Sequence, residues 1–354
     1  NMNLSRIRQS QVTLESAQIH GGKFITSIGT NAEPLQVTEV NGLVHFLPGD
    51  RLVIDSLNGR FREVQVKLSC DLANASALGD VQPAPSEKTA KPASPKWYDV
   101  LQQIEFTGQP EVSLAVSGDA REWRTLSIQL KLSNADASTP WGQFRAVQFD
   151  GQTNPPGTTN HPLFAVDLAA GHIATPWVEA RDFRHLSQIT VSALHSNALE
   201  TVFDLSTIEF HGGWTNSTLT NVTQGKSIAI SGIATIPLTN LHPINATAEV
   251  KLGRTLVRWN GAALTNGMAT VNQGTFKIGY DSSQAANHHD ASSLWSFLHP
   301  FTLSGEFDLR QIREPRFHLE NTAHVIGEWQ WPHLKVKQLT ARLDTGDIRA
   351  DKNL

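Results

Sequence analysis

The sequence predicts an all-β protein, mainly an antiparallel meander, with two short helices. Two observations predict the strands. Polar and apolar residues alternate with a period of two through several long segments, and turn residues fall between these at intervals of about ten residues. A third observation sets the pairing sense: one-sided strands belong to antiparallel sheets, whereas a buried parallel sheet reads as continuous apolar runs.

The alternation is clearest over residues 63–72, where Val64, Val66, Leu68, Cys70 and Leu72 take every second position. Residues 125–132 repeat it with Leu126, Ile128, Leu130 and Leu132, and residues 245–252 with Ala246, Ala248, Val250 and Leu252. Residues 306–310 and 334–337 are shorter cases. Successive side chains of a strand point to opposite faces, so each segment has one apolar and one polar face. The turn signals are Pro48-Gly49-Asp50, Leu57-Asn58-Gly59, Ser117-Gly118-Asp119, Asn260-Gly261, Asn266-Gly267 and Thr345-Gly346-Asp347. Asn-Gly suits the left-handed backbone of tight hairpins.

The first helix is expected over 95–104, with Pro95 near its start and Trp97, Val100, Leu101 and Ile104 on one face. The second is expected over 290–298, opened by Asp290 and stopped before Pro300. Residues 77–94 carry three prolines and no apolar periodicity, which makes them a linker or loop. The expected organisation is therefore a β-meander over 1–76, that linker, and a helix-plus-meander region over 95–354. A weak internal similarity divides this last region into 95–289 and 290–354.

Composition excludes several functions. With 29 Lys and Arg against 33 Asp and Glu the net charge is −4, and no clustered basic run marks a nucleic-acid binder. Cys70 is the single cysteine, which rules out an internal disulfide and a thiolate metal cluster. No segment reaches the roughly 18 apolar residues of a membrane helix. The opening Asn1-Met2-Asn3-Leu4 has neither the basic head nor the apolar run of a signal peptide. The chain is accordingly expected to be an excised piece of a longer protein.

Catalytic motifs are missing too. There is no Gly-x-Ser-x-Gly elbow. Gly225-Lys226-Ser227 ends like a phosphate loop, but Thr220 stands where its first Gly belongs and the next residues read as strand. Asp344-Thr345-Gly346 has no second copy with which to share a proton. The 14 histidines are scattered, and the one tight group, His288-His289-Asp290, reads as a solvated cap, so neither a metal nor a cofactor is expected. The nine tryptophans suit sugar stacking or, more simply, core packing. The chain is expected not to be an enzyme.

One stretch is more particular. Residues 35–61 run Leu35 to Gly42, then Leu43 to Leu47, a Pro48-Gly49-Asp50 turn, and Leu52-Val53-Ile54-Asp55-Ser56-Leu57-Asn58-Gly59-Arg60-Phe61. This resembles the repeats of the AsmA-like and TamB-like bacterial envelope proteins. Residues 331–348 look like another copy, and 165–183 like a poorer one. The resemblance implies an extended antiparallel sheet curled into a groove, with lipid acyl chains along its apolar face. It further implies a periplasmic location, phospholipid transport between membranes or outer-membrane maintenance, and contact with the membrane through parts of a parent chain outside this sequence.

A one-sided sheet must cover its apolar face with a second sheet, helices or a ligand, and acyl burial returns roughly 0.8 kcal/mol per methylene. The candidate lining residues are Val64, Val66, Leu68, Leu126, Ile128, Leu130, Leu132, Val250 and Leu252. Their alternative role is the plain core of a β-sandwich or barrel. The alternative function is a secreted β-module that binds glycan or protein, which calls for several tryptophans exposed on one flat face.

Overall fold

Alternation decides the secondary structure almost everywhere that the chain is described. The computed structural model describes residues 15–26, 35–79, 103–122, 126–153, 164–176, 178–191, 197–215, 219–237, 243–261, 267–283, 300–314, 317–319, 322–330, 333–343 and 346–350. They form 21 strands and one short 3₁₀ turn (Ala75–Gly79).

The chain divides into two compact units, residues 1–140 with 148–157, and residues 141–147 with 158–354. The first holds β1 (Ser16–Thr26), β2 (Leu35–Leu47), β3 (Arg51–Phe61), β4 (Val64–Ala73), β5 (Glu105–Asp119) and β6 (Ser127–Thr139). β7 (Gly142–Gln152) contributes to both units. The second holds β8 (Phe164–Ala174), β9 (Val178–Val191), β10 (Ala198–Thr207), β11 (Glu209–Thr215), β12 (Leu219–Gly225), β13 (Ile228–Pro237) and β14 (Asn245–Leu252). It continues with β15 (Thr255–Gly261), β16 (Gly267–Asp281), β17 (Phe301–Glu314), β18 (Phe317–Leu319), β19 (Ala323–Gln330), β20 (His333–Leu343) and β21 (Gly346–Ala350).

In the first unit β1 to β4 pair in sequence order as an antiparallel meander. β5 then lies parallel to β4, Val66 beside Val112 and Leu68 beside Leu114, and β6 returns antiparallel. A parallel pair needs a crossover longer than a hairpin. The chain between β4 and β5 supplies one.

In the second unit several strands are long strands interrupted once. β9 pairs with both β10 and β11; β13 and β12 pair with these in turn; β14 and β15 pair with β13 and β12; β16 pairs with both β14 and β15. The sheet goes on through β17, β19, β20 and β21, with β18 beside the far end of β17. The interruptions are in register. Gly171 faces Asp182 (φ 49°), the break between β10 and β11 follows at Ile208, and Lys226, Arg254 and Asn272 mark the next strands. Gln311 (φ 54°) closes the line on β17. Bulges of this kind bend a strand and sharpen its twist, so the alignment makes one crease across the second unit.

The all-β expectation is met, while two of the expected turns, Ser117-Gly118-Asp119 and Asn260-Gly261, are instead the last residues of β5 and β15. The strands foreseen over 63–72, 125–132 and 245–252 are β4, β6 and β14, and the Pro48-Gly49-Asp50 turn joins β2 to β3 with Gly49 and Asp50 at positive φ. Leu57-Asn58-Gly59 is a correction. It is not a turn but the middle of β3, where Asn58 pairs with Lys67 and a Cβ on Gly59 would lie 2.7 Å from Val37. The glycine makes room for a neighbour on the next strand. The turn itself falls at Arg62 and Glu63. The helix foreseen over 290–298 lies outside the described residues, as does the one over 95–104 apart from Gln103 and Ile104, which lead into β5.

Candidate functional site

Residues that face each other across a strand pair lie on the same side of the sheet, so the register assigns every described side chain to a face. In the first unit one row runs Gly59, Val66, Val112, Leu132; the next Leu57, Leu68, Leu114, Leu130; the third Ile54, Cys70, Val116, Ile128. Val64 opposes Phe61 on the same side. The sequence-predicted residues Val64, Val66, Leu68, Ile128, Leu130 and Leu132 are thus brought together on one apolar face. Leu126 precedes β6 and gives its carbonyl to Thr153 Oγ1 at 3.0 Å, outside the ladder.

The second unit has the same construction. One row reads Leu205, Ile230, Val250, Phe276, Gly305 and the next Ile228, Leu252, Gly274, Phe307, Val325. Val250 and Leu252 sit in the middle of this face. It is less pure toward β9, where His185 and Ser187 join it.

How this face is covered decides what it is for. Sandwich and barrel cores bury leucine, isoleucine and phenylalanine completely. Among the described residues Leu72, 5% exposed, is the only one of these three types that is buried. Val250 is 2% exposed, but Ile128 and Leu130 stand 36% and 39% exposed. No α-helix belongs to the described elements. Among the described residues the apolar face is packed edge to edge and only partly covered, least so over β6.

The opposite face is polar and tied by cross-strand charges. Arg51 holds Asp71 at 2.6 Å, Lys67 holds Glu111 at 2.7 Å, Arg184 holds Asp167 at 2.8 Å, and Lys337 pairs with Glu328. The hydrogen bond from Arg51 keeps the Asp71 carboxyl below the usual carboxylate range. His324 Nδ1 lies 2.8 Å from Asp308, whose carboxyl is lowered by that bond and by one from Gln273. Exposed pairs of this kind are screened by water and contribute little to stability. Their use is to mark this side as the one facing water.

At the crease the polar face of the second unit is hollowed into a cleft of about 660 Å³. It is lined by Glu179 and Arg181 of β9, Glu209 and His211 of β11, Gln224 of β12, Leu256 of β15, Thr270 of β16, and the break residues Lys226 and Arg254. Phe210 and buried Gly225 line it as well, and a Cβ on that glycine would come within 2.3 Å of the ring. The sequence reading missed this site. Its signal was a repeated triplet at two strand breaks, Gly225-Lys226-Ser227 and Gly253-Arg254-Thr255.

Among the described residues no group of three or more His, Cys, Asp or Glu is placed to hold a metal ion. The His288-His289-Asp290 group lies outside them. Of the nine tryptophans, Trp141 and Trp329 have described side chains; Trp141 is 43% exposed at the β6–β7 turn and Trp329 is half-buried beside Leu303 on the apolar face. No protein-family model, curated protein or solved structure matches the chain. The reading of function rests on the faces themselves.

Proposed function

We propose that the protein binds lipid acyl chains along the apolar face of its sheet. In this reading it is a non-enzymatic, periplasmic segment of an AsmA-like envelope protein, serving phospholipid transport between membranes or outer-membrane maintenance. One observation supports it above the others: long apolar rows lie side by side across several strands, yet among the described residues almost none of their large side chains is buried. Leaving such a surface in water is costly, and a phospholipid tail laid along it recovers roughly 0.8 kcal/mol for each methylene covered. A hydrocarbon chain asks for no directed hydrogen bonds, which suits a face of Leu, Ile, Val and Phe.

The test is native mass spectrometry of the purified chain with lipid extraction of the same sample. The expected result is co-purified phospholipid, lost in Leu130→Asp while circular dichroism still reports the β fold. A protein of apo mass that takes up no phospholipid from added vesicles overturns the proposal in favour of a module that binds glycan or protein.

A further inference from the structure

We propose that the cleft at the crease, on the polar face of the second unit, is a binding site for a multiply charged phosphate group. Lys226 and Arg254 occupy neighbouring strand breaks, and the Lys226 N–H donates to the Arg254 carbonyl at 3.1 Å. The backbone thereby fixes the two cations on adjoining strands and leaves both side-chain heads free. Two carboxylates line the same cleft, and both are already engaged. Glu209 is met by Arg181 at 3.5 Å, and Glu179 by His172 at 2.9 Å. The hydrogen bond from His172 holds the Glu179 carboxyl below its usual range, so this acid stays ionised and committed to its own partner.

Among the described residues neither Lys226 nor Arg254 pairs with a carboxylate. Lys226 and Arg254 therefore give this depression two cations that its own two carboxylates, each met by another partner, do not neutralise. Two like charges held close repel, and a dianion between them removes the repulsion and gains attraction to both. Arginine offers a planar fork to phosphate oxygens and lysine a point charge. Gln224, Thr270 and Gln311 add neutral groups around the rim. The acyl face is the other side of the same sheet, so this site does not depend on the lipid proposal. The phosphate source is either a soluble phosphorylated compound or a lipid headgroup at a bilayer surface.

Titration calorimetry with inorganic pyrophosphate, and flotation with phosphatidic acid against phosphatidylcholine vesicles, test the site and separate the sources. The variant is Lys226→Gln with Arg254→Gln; both positions are exposed, and circular dichroism checks the fold. Arg121→Gln, at an exposed turn of the first unit, is the control. Saturable pyrophosphate binding, weakened at least tenfold in the double variant and unchanged in the control, assigns a soluble ligand. Flotation with phosphatidic acid vesicles alone, without pyrophosphate binding and lost in the double variant, assigns a headgroup. Binding that the double variant retains, or no binding to either probe, overturns the site.

Discussion

Phe276 and Phe307 pack across β16 and β17 with ring centroids 5.6 Å apart, and each lies opposite a glycine of the facing strand, Gly305 and Gly274 respectively. The glycines let the rings lie down along the sheet instead of standing off it. A Cβ on Gly305 would meet Phe276 Cβ at 2.3 Å and the Thr275 carbonyl at 2.8 Å, whereas one on Gly274 would meet side chains alone, the Phe307 ring at 2.9 Å and Val271 Cγ1 at 3.5 Å. Backbone cannot step aside as a ring can. Gly305→Ala should therefore cost about 1–3 kcal/mol, and Gly274→Ala less. Urea midpoints of the two variants check the order, and equal midpoints would contradict it.

The exposure difference along the apolar face makes a paired prediction. Leu130 is 39% exposed, so a carboxylate at Leu130→Asp reaches water and the fold survives. Val250 is 2% exposed between Ile230 and Phe276, so Val250→Asp buries an unpaired acid. An uncompensated buried polar group costs roughly 2–7 kcal/mol. Thermal melts should show a small loss for the first variant and a collapse for the second. Comparable losses would mean that the face is closed over β6.

Acid sensitivity follows from Asp308. His324 first and Gln273 second hold its carboxyl below the usual range, while an unfolded aspartate titrates near about 3.9. A carboxyl depressed by folding stabilises in full above the unfolded value, and this stabilisation fades as pH falls through the folded one. Asp308→Asn should thus melt below the wild type at neutral pH, with the gap shrinking once pH drops under about 4. Melting temperature against pH measures it. A gap that holds or widens in acid refutes the assignment.

The strands and the apolar face were legible because alternation is local: residues 63–72 and 245–252 declare both at once. The crease was not. Its bulges at Asp182 and Gln311 use positive φ on residues other than glycine, and neither carries a compositional mark. Asn58-Gly59 misled for the opposite reason, since a glycine that clears space for Val37 inside a strand has the composition of a turn. The parallel placement of β5 beside β4 depends on how a long connection returns, which periodicity does not encode. Lys226 and Arg254 are 28 positions apart and become neighbours only through register.

Cys70 offers a reporter already built into the face. It lies between Ile54 and Val116, half-buried, and that burial, followed by the nearby Asp71 charge, pushes its thiol up. Since the thiolate is the reactive species, maleimide labelling at neutral pH should be slower than in the unfolded chain. Its rate should keep climbing with pH beyond the ~8.5 of an ordinary thiol. An acyl chain along the adjacent row of Leu68, Leu114 and Leu130 would cover the same sulfur, so added phospholipid should slow labelling at least tenfold. Leu130→Asp should abolish that protection without altering the rate of the lipid-free protein. Labelling that proceeds unchanged in a sample shown by mass to carry lipid would place the acyl chain away from the first unit's face.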